Sequence, residues 1–159
     1  MTRERFISQV KGCQGQLRRF LTSLCAGNSA LADDIAQDAL VRAYVSSGRF
    51  VGNFKGWLFR IAYNCFIDHL RRSPSGMADF DSAEVGHIAG GEPSDVSFRH
   101  EELQMALGRI PEKERAAIVL HYFEDLPIKE ISAIMQIPSG TVKYHLSQGR
   151  THLRQYLSR

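Results

Sequence analysis

Residues 139–159 place Lys143, Arg150, Arg154 and Arg159 along one stretch without a single acid. Phosphates favour such a stretch, because each one neutralised by a cation releases condensed counterions. In a helix over these residues, Thr141, Lys143, Tyr144 and Ser147 fall on the early exposed turns. There, hydroxyls and a cation reach base edges in a major groove. Ser139 stands at the start as a cap for an exposed backbone N–H, and Arg150 and Arg154 lie later, placed for phosphate. A basic helix alone is ordinarily a solvated face. The residues before this one give it a direction: PIKEISAIMQIPSGTVKYHL, residues 127–146, reads as a short helix, a tight turn and a longer basic helix, the helix-turn-helix arrangement. Ile131 and Ile134 from the first helix, Ile137 in the turn, and Val142 and Leu146 from the second make its small core. Ser132 is small enough to let the helices approach. Catalytic chemistry has no comparable support. His69, His87, His100, His121, His145 and His152 show no metal-ligand spacing with acids or cysteines, and neither a phosphate-cradling glycine loop nor a nucleophile elbow occurs. The expectation is a protein that is not an enzyme, with no metal, cofactor or small-molecule substrate.

The elements that must position this motif are all helical, and strand alternation is nowhere convincing. In the first half, Phe6, Val10, Cys13, Leu17, Phe20 and Leu24 recur every three or four residues, predicting a helix over 3–25 with one buried stripe. Gly27 and Asn28 end it. Leu31, Ile35, Ala39 and Ala43 form the inner face of a second helix over 29–46. Leu58, Ile61, Ala62 and Cys65 do so for a third over 53–72, with Asn53 as its N-cap and Arg71-Arg72 at its cation-favouring end. Trp57 sits at core spacing with Leu58 and Ile61. Residues 73–97 are rich in Gly, Ser, Pro and Asp without an apolar period and read as a flexible linker. Beyond them the spacing predicts helices over 98–108, 111–123, 128–135 and 139–157.

Charge follows the same division. Residues 1–72 carry eleven Lys/Arg against five Asp/Glu, residues 73–98 carry five acids and no base, and residues 99–159 carry nine bases against seven acids, within a net charge of +3. Two basic lobes on an acidic strap suggest polyanion contacts at both ends. Cys13, Cys25 and Cys65 show no paired spacing and read as reduced core thiols. No run of eighteen apolar residues occurs, and MTRERFISQVKG lacks the apolar stretch of a signal peptide, so the cytoplasm is the expected location.

LGRIPEKERAAIVLHYFEDLPIKEISAIMQIPSGTVKYHLSQGRTHLRQYL, residues 107–157, resembles region 4 of the extracytoplasmic-function (ECF) RNA polymerase sigma factors. ALADDIAQDALVRAYVSSGRF and GNFKGWLFRIAYNCFIDHLRR, residues 30–50 and 52–72, resemble region 2 of the same class. The two motifs stand in the right order with a suitable linker between them, and the resemblance covers nearly everything except that linker. Gln136 departs from the family, which usually has a turn glycine there. Tyr144-His145 and Gln148-Gly149 replace its usual Ser-Arg and Arg-Ala.

The resemblance implies an all-α protein of two small helical domains. These would be a three-to-four-helix region 2 bundle over 1–72 and a helix-turn-helix region 4 over 98–159, joined by the flexible acidic linker. It implies binding to core RNA polymerase, at the β′ clamp and the β flap, and to promoter DNA, with an anti-sigma factor as a further partner. Asp33, Asp34, Gln37 and Asp38 would meet the clamp. Asn53, Phe54, Lys55, Arg60, Tyr63, Asn64, Arg71 and Arg72, with Phe50 nearby, would take the −10 element, Asn64 standing where the family reads a flipped base. Ser139, Thr141, Lys143, Tyr144, Ser147 and Arg150 would take the −35 element. The acidic linker would mimic RNA in the polymerase cleft. Two rival readings use less of the chain: a stand-alone helix-turn-helix regulator, which needs dimer symmetry for paired half-sites, and a protein-interaction module that sequesters polymerase or a regulator.

Overall fold

The computed structural model of the chain describes residues 1–72 and 95–157. The expected linker lies outside them, except for its last three residues, which open a helix. Regular structure among the described residues is helical. The first half contains α1 (Arg3–Leu24), α2 (Ser29–Val45), a 3₁₀ turn (Ser47–Arg49) and α3 (Phe54–Arg72). The second contains α4 (Asp95–Arg109), α5 (Glu112–Ile118) running into a π-helical segment (Val119–Phe123), α6 (Ile128–Met135) and α7 (Ser139–Leu157).

The first three helices start and stop where side chains can satisfy orphan backbone groups. Thr2 accepts from the Arg5 N–H at 3.2 Å, Asn28 from Leu31 at 3.1 Å, and Asn53 from Gly56 at 3.3 Å. At the end of α1, Ala26 turns left-handed (φ 54°) and the Gly27 N–H returns to the Thr22 carbonyl, a Schellman-type stop. The buried face of α2 is Ala32, Ile35, Ala39 and Ala43, mostly small, so α1 and α3 approach it closely. Phe20 of α1 stacks on Phe59 of α3 with centroids 4.9 Å apart. Trp57 is half-buried against Phe50 and Phe54. Cys13, Cys25 and Cys65 are free and buried.

In the second half, Ile131, Ile134, Val142 and Leu146 are buried and Ile137 packs beside them, as the motif requires. The Ser132 hydroxyl donates to the Ile137 carbonyl, tying the turn from within. Gln136 takes the left-handed conformation (φ 57°, ψ 46°) at the end of α6. The expected capping role of Ser139 is corrected. Ser139 is already the first helical residue, and the Pro138 carbonyl accepts the first intrahelical bond, from Val142.

The two lobes pack against each other. Buried residues of both halves join in one apolar cluster. α6 packs on α3, and the end of α1 packs on α4, α5 and the π segment. The seam also has directional bonds. The guanidinium of Arg115, fully buried, donates to the carbonyls of Leu107, Ile110 and, across the seam, Leu24 at 2.7 Å. Arg19 grips Glu124 through two bonds of 3.0 and 2.9 Å. Gln104 donates to the Ser23 hydroxyl. Gly108 lies against Ala26 so closely that a Cβ added there would sit 3.0 Å from that of Ala26.

Candidate nucleic-acid interface

α7 presents one coherent outer face. Lys143, Ser147, Thr151 and Arg154 are exposed and spaced three or four residues apart, which places them on adjoining turns, with the exposed Tyr144 next to Lys143. Val142, Leu146 and Gly149 turn inward and anchor the helix. Lys143 is therefore open to a groove, and Tyr144 is 60% exposed. Thr141 sits off this face, half-buried. Arg150 is half-buried, and its guanidinium donates to the Tyr122 hydroxyl at 3.1 Å, which draws it toward the protein rather than outward.

A second face runs along α3. Asn53, Arg60, Asn64 and Arg71 are all exposed. Their spacings of seven, four and seven residues put them on one stripe of a 3.6-residue helix. Gly56, on the same stripe, leaves room at its start. The structure does not bring Phe54, Lys55 or Tyr63 into it. Phe54 is buried in an aromatic cluster with Phe6, Phe50 and Trp57. Lys55 lies over the Phe59 ring, 5.4 Å from its centroid, on the other side of the helix. Tyr63 is 5% exposed, and burial, with the nearby Glu112 carboxylate, pushes its phenol up to about 12. Arg72 is exposed but rotated from the stripe.

The acidic group on α2 divides in two. Asp33 pairs with Arg18 at 3.2 Å, and Asp38 bonds to the His69 ring at 2.9 Å. Asp34 and Gln37 are exposed. The same helix face continues with residues that the sequence reading missed: Val41, Tyr44 and Val45, the last 79% exposed. Spacings of 34, 37/38, 41 and 44/45 were the available signal. Beside Asp38, Arg42 bonds Asp68 at 2.9 Å and holds that carboxyl below its usual range. A second apolar feature was also missed: a groove of about 340 Å³ lined by Leu103, Ile118, Phe123, Leu153 and Leu157, with Arg150 and Arg154 at its edge.

A helix-turn-helix with an open basic helix, docked on a three-helix bundle that carries its own polar stripe, defines a two-handed reader of DNA. The family model for Sigma-70 region 2 matches residues 10–74, and that for Sigma-70, region 4 matches residues 100–153. The ECF RNA polymerase sigma factor SigW of Bacillus subtilis is 37% identical over 145 residues, spanning 82% of this chain and 78% of the relative. The ECF RNA polymerase sigma-E factor of Escherichia coli K12 is 35% identical over 133 residues, spanning 74% and 69%. Among solved structures, the sigma factor RpoE in complex with the anti-sigma factor NepR from Bartonella quintana superposes with a TM-score of 0.79 at 26% identity, covering 98% of this chain and 99% of that one. CnrH in complex with the cytosolic domain of CnrY shares the fold, with a TM-score of 0.70.

The chain belongs to the ECF class of RNA polymerase sigma factors. It is a transcription initiation factor rather than an enzyme, directing RNA polymerase to promoters through regions 2 and 4. Among the described residues no helix is long and apolar enough to cross a membrane.

Proposed function

We propose that the exposed side of α2 is the seat on core polymerase: Asp34 and Gln37 make the polar contacts at the β′ clamp, and Val41, Tyr44 and Val45 provide the apolar ones. The open face of α7 reads the −35 major groove through Lys143, Tyr144 and Ser147, with Arg154 on phosphate. The α3 stripe holds the unpaired −10 strand: Asn53 and Asn64 both donate to and accept from base edges, and Arg60 and Arg71 follow the backbone. The apolar groove between α4, the π segment and α7 suits the β flap, its two arginines favouring an acidic flank on that partner. An anti-sigma factor is the other partner in this reading, as for the Bartonella relative, whose likeness to this chain extends over both halves.

The observation that carries the reading is the pair of exposed polar stripes, one on each half, in the order that the two matched regions require. Run-off transcription with purified core enzyme on a promoter panel tests it; no initiation on any template overturns it. Lys143→Ala is expected to weaken promoter binding and to lower the salt slope by about one phosphate contact if it meets backbone, or to cost about 1–3 kcal/mol at one base position if it reads a base. Asp34→Lys is expected to weaken core binding in a pull-down while leaving DNA binding unchanged.

A further inference from the structure

We infer that the cleft between α1 and α4 is a binding site for a small organic phosphate, whose oxyanion sits between Arg18, Arg19 and Gln104. The site is separate from the faces of α2, α3 and α7 assigned above and does not depend on their reading.

The cleft holds about 290 Å³, near the lower end of small-molecule sites. On α1, Gly15, Arg18, Arg19 and Thr22 line it, at the spacing of a single helical face. On α4, His100 and Gln104 stand one turn apart and form the opposite wall. No acid is among the described residues that line it. Each arginine is already bound to a carboxylate outside the lining, and both use the same two atoms. Nε and Nη2 of Arg18 meet Asp33, and Nε and Nη2 of Arg19 meet Glu124. Those bonds fix the two guanidiniums before any ligand arrives, which lowers the entropy cost of binding. They leave Nη1 of each without a partner among the described residues. A guanidinium carries five N–H donors, so both keep donors for an oxyanion.

Gln104 distinguishes this cleft from a merely solvated groove. Its residue is 4% exposed, and its Oε1 is buried without a hydrogen-bond partner among the described residues, while Nε2 donates to the Ser23 hydroxyl at 3.3 Å. A buried amide group left unpaired is costly. The two ends of the amide are alike in size, and turning it over lets the Ser23 hydroxyl donate to Oε1. The NH2 is then the end left over. It joins the two arginines as a third donor, and a phosphate monoester has three terminal oxygens to receive them. Gly15 supplies the room. A Cβ there would meet nothing within 4 Å, so packing does not demand glycine in the middle of α1, where it weakens the helix. Its bare Cα keeps that wall of the cleft open.

Equilibrium dialysis and thermal unfolding of the purified full chain test this, with inorganic phosphate, glycerol phosphate and glycerol as probes. Both phosphates are expected to bind saturably at one site, glycerol phosphate the more tightly, and glycerol is not. At about a hundredfold above its dissociation constant, glycerol phosphate is expected to raise the melting temperature by several degrees. Gly15→Leu fills the cleft from a position where a side chain meets open space, and is expected to abolish binding while the helices persist by circular dichroism. Arg18→Gln and Gln104→Met are each expected to weaken binding at least about tenfold, the loss of one hydrogen bond to a charged group. Absence of saturable binding by both phosphates overturns the site. So does equal binding by wild type and Gly15→Leu, which would mark the stabilisation as a general salt effect on the protein surface. Glycerol binding as tightly as glycerol phosphate overturns the assignment of the oxyanion.

Discussion

Gln136 shows how a single residue can be visible in a sequence while its cost is not. It stands where the family has glycine, and the structure puts it at φ 57°, ψ 46°. For a residue with a Cβ that conformation costs roughly 1–2 kcal/mol. Gln136→Gly is therefore expected to stabilise the protein by about 1 kcal/mol, less the entropy glycine loses from the unfolded chain. Thermal unfolding should show this as a rise of about 2–4 °C. Other residues were legible by type but not by placement. Asp33, Asp34, Gln37 and Asp38 look alike in the sequence, yet Arg18 and His69 claim two of them and leave Asp34 and Gln37 outward. No local pattern reveals that, because Asp33 and Asp38 find their partners on other helices.

At the scale of the helices, boundaries were recovered closely wherever caps and apolar spacing agree. Arg3–Leu24 was expected as 3–25, and Ile128–Met135 as 128–135. α4 begins earlier than the expected residue 98, because Asp95 and its neighbours lie in a polar stretch where no apolar period marks the start. The π segment at Val119–Phe123 was not legible either. Its return bond from Glu124 to Val119 inserts one residue into a helix whose composition is ordinary. Helix contacts also explain one family departure. Gly149 of α7 lies on Ile118 of α5, where an added Cβ would meet the Ile118 Cγ1 at 2.9 Å and the Glu114 Cβ at 3.4 Å. Gly149→Ala gains roughly 1 kcal/mol of helix propensity and loses about 1–3 kcal/mol to overpacking. The expected net result is a loss of stability on the order of 1 kcal/mol in urea melts, relieved by Ile118→Val. A gain in stability would show that α7 shifts outward freely.

At the scale of the whole molecule, the all-α class and the division into two halves could be read from periodicity and charge, but the docking of the halves could not. Arg19 meets Glu124 across 105 positions and Arg115 meets Leu24 across 91, and no pattern in either neighbourhood names its partner. The seam leads to a pH dependence. Tyr63, ordinarily near 10, and Cys25, ordinarily near 9, are both raised by burial to about 12. The folded protein tolerates only their neutral forms. Their contribution is therefore whole below the unfolded values and is lost as pH climbs from about 9 toward 12. Urea melts at pH 8, 10 and 11 are expected to show stability falling across that window, and Tyr63→Phe to remove about 1 kcal/mol of the fall.

The burial of Cys13, Cys25 and Cys65 has a chemical corollary. Peroxides and electrophiles attack thiolate, and Cys25, held to about 12, supplies almost none at neutral pH. Burial also raises the thiols of Cys13 and Cys65 and walls them off from solvent. While the chain is folded as described, its thiols are poor targets for oxidants, and among the described residues the exposed thioethers of Met1 and Met105 are the sulfur atoms that an oxidant meets first.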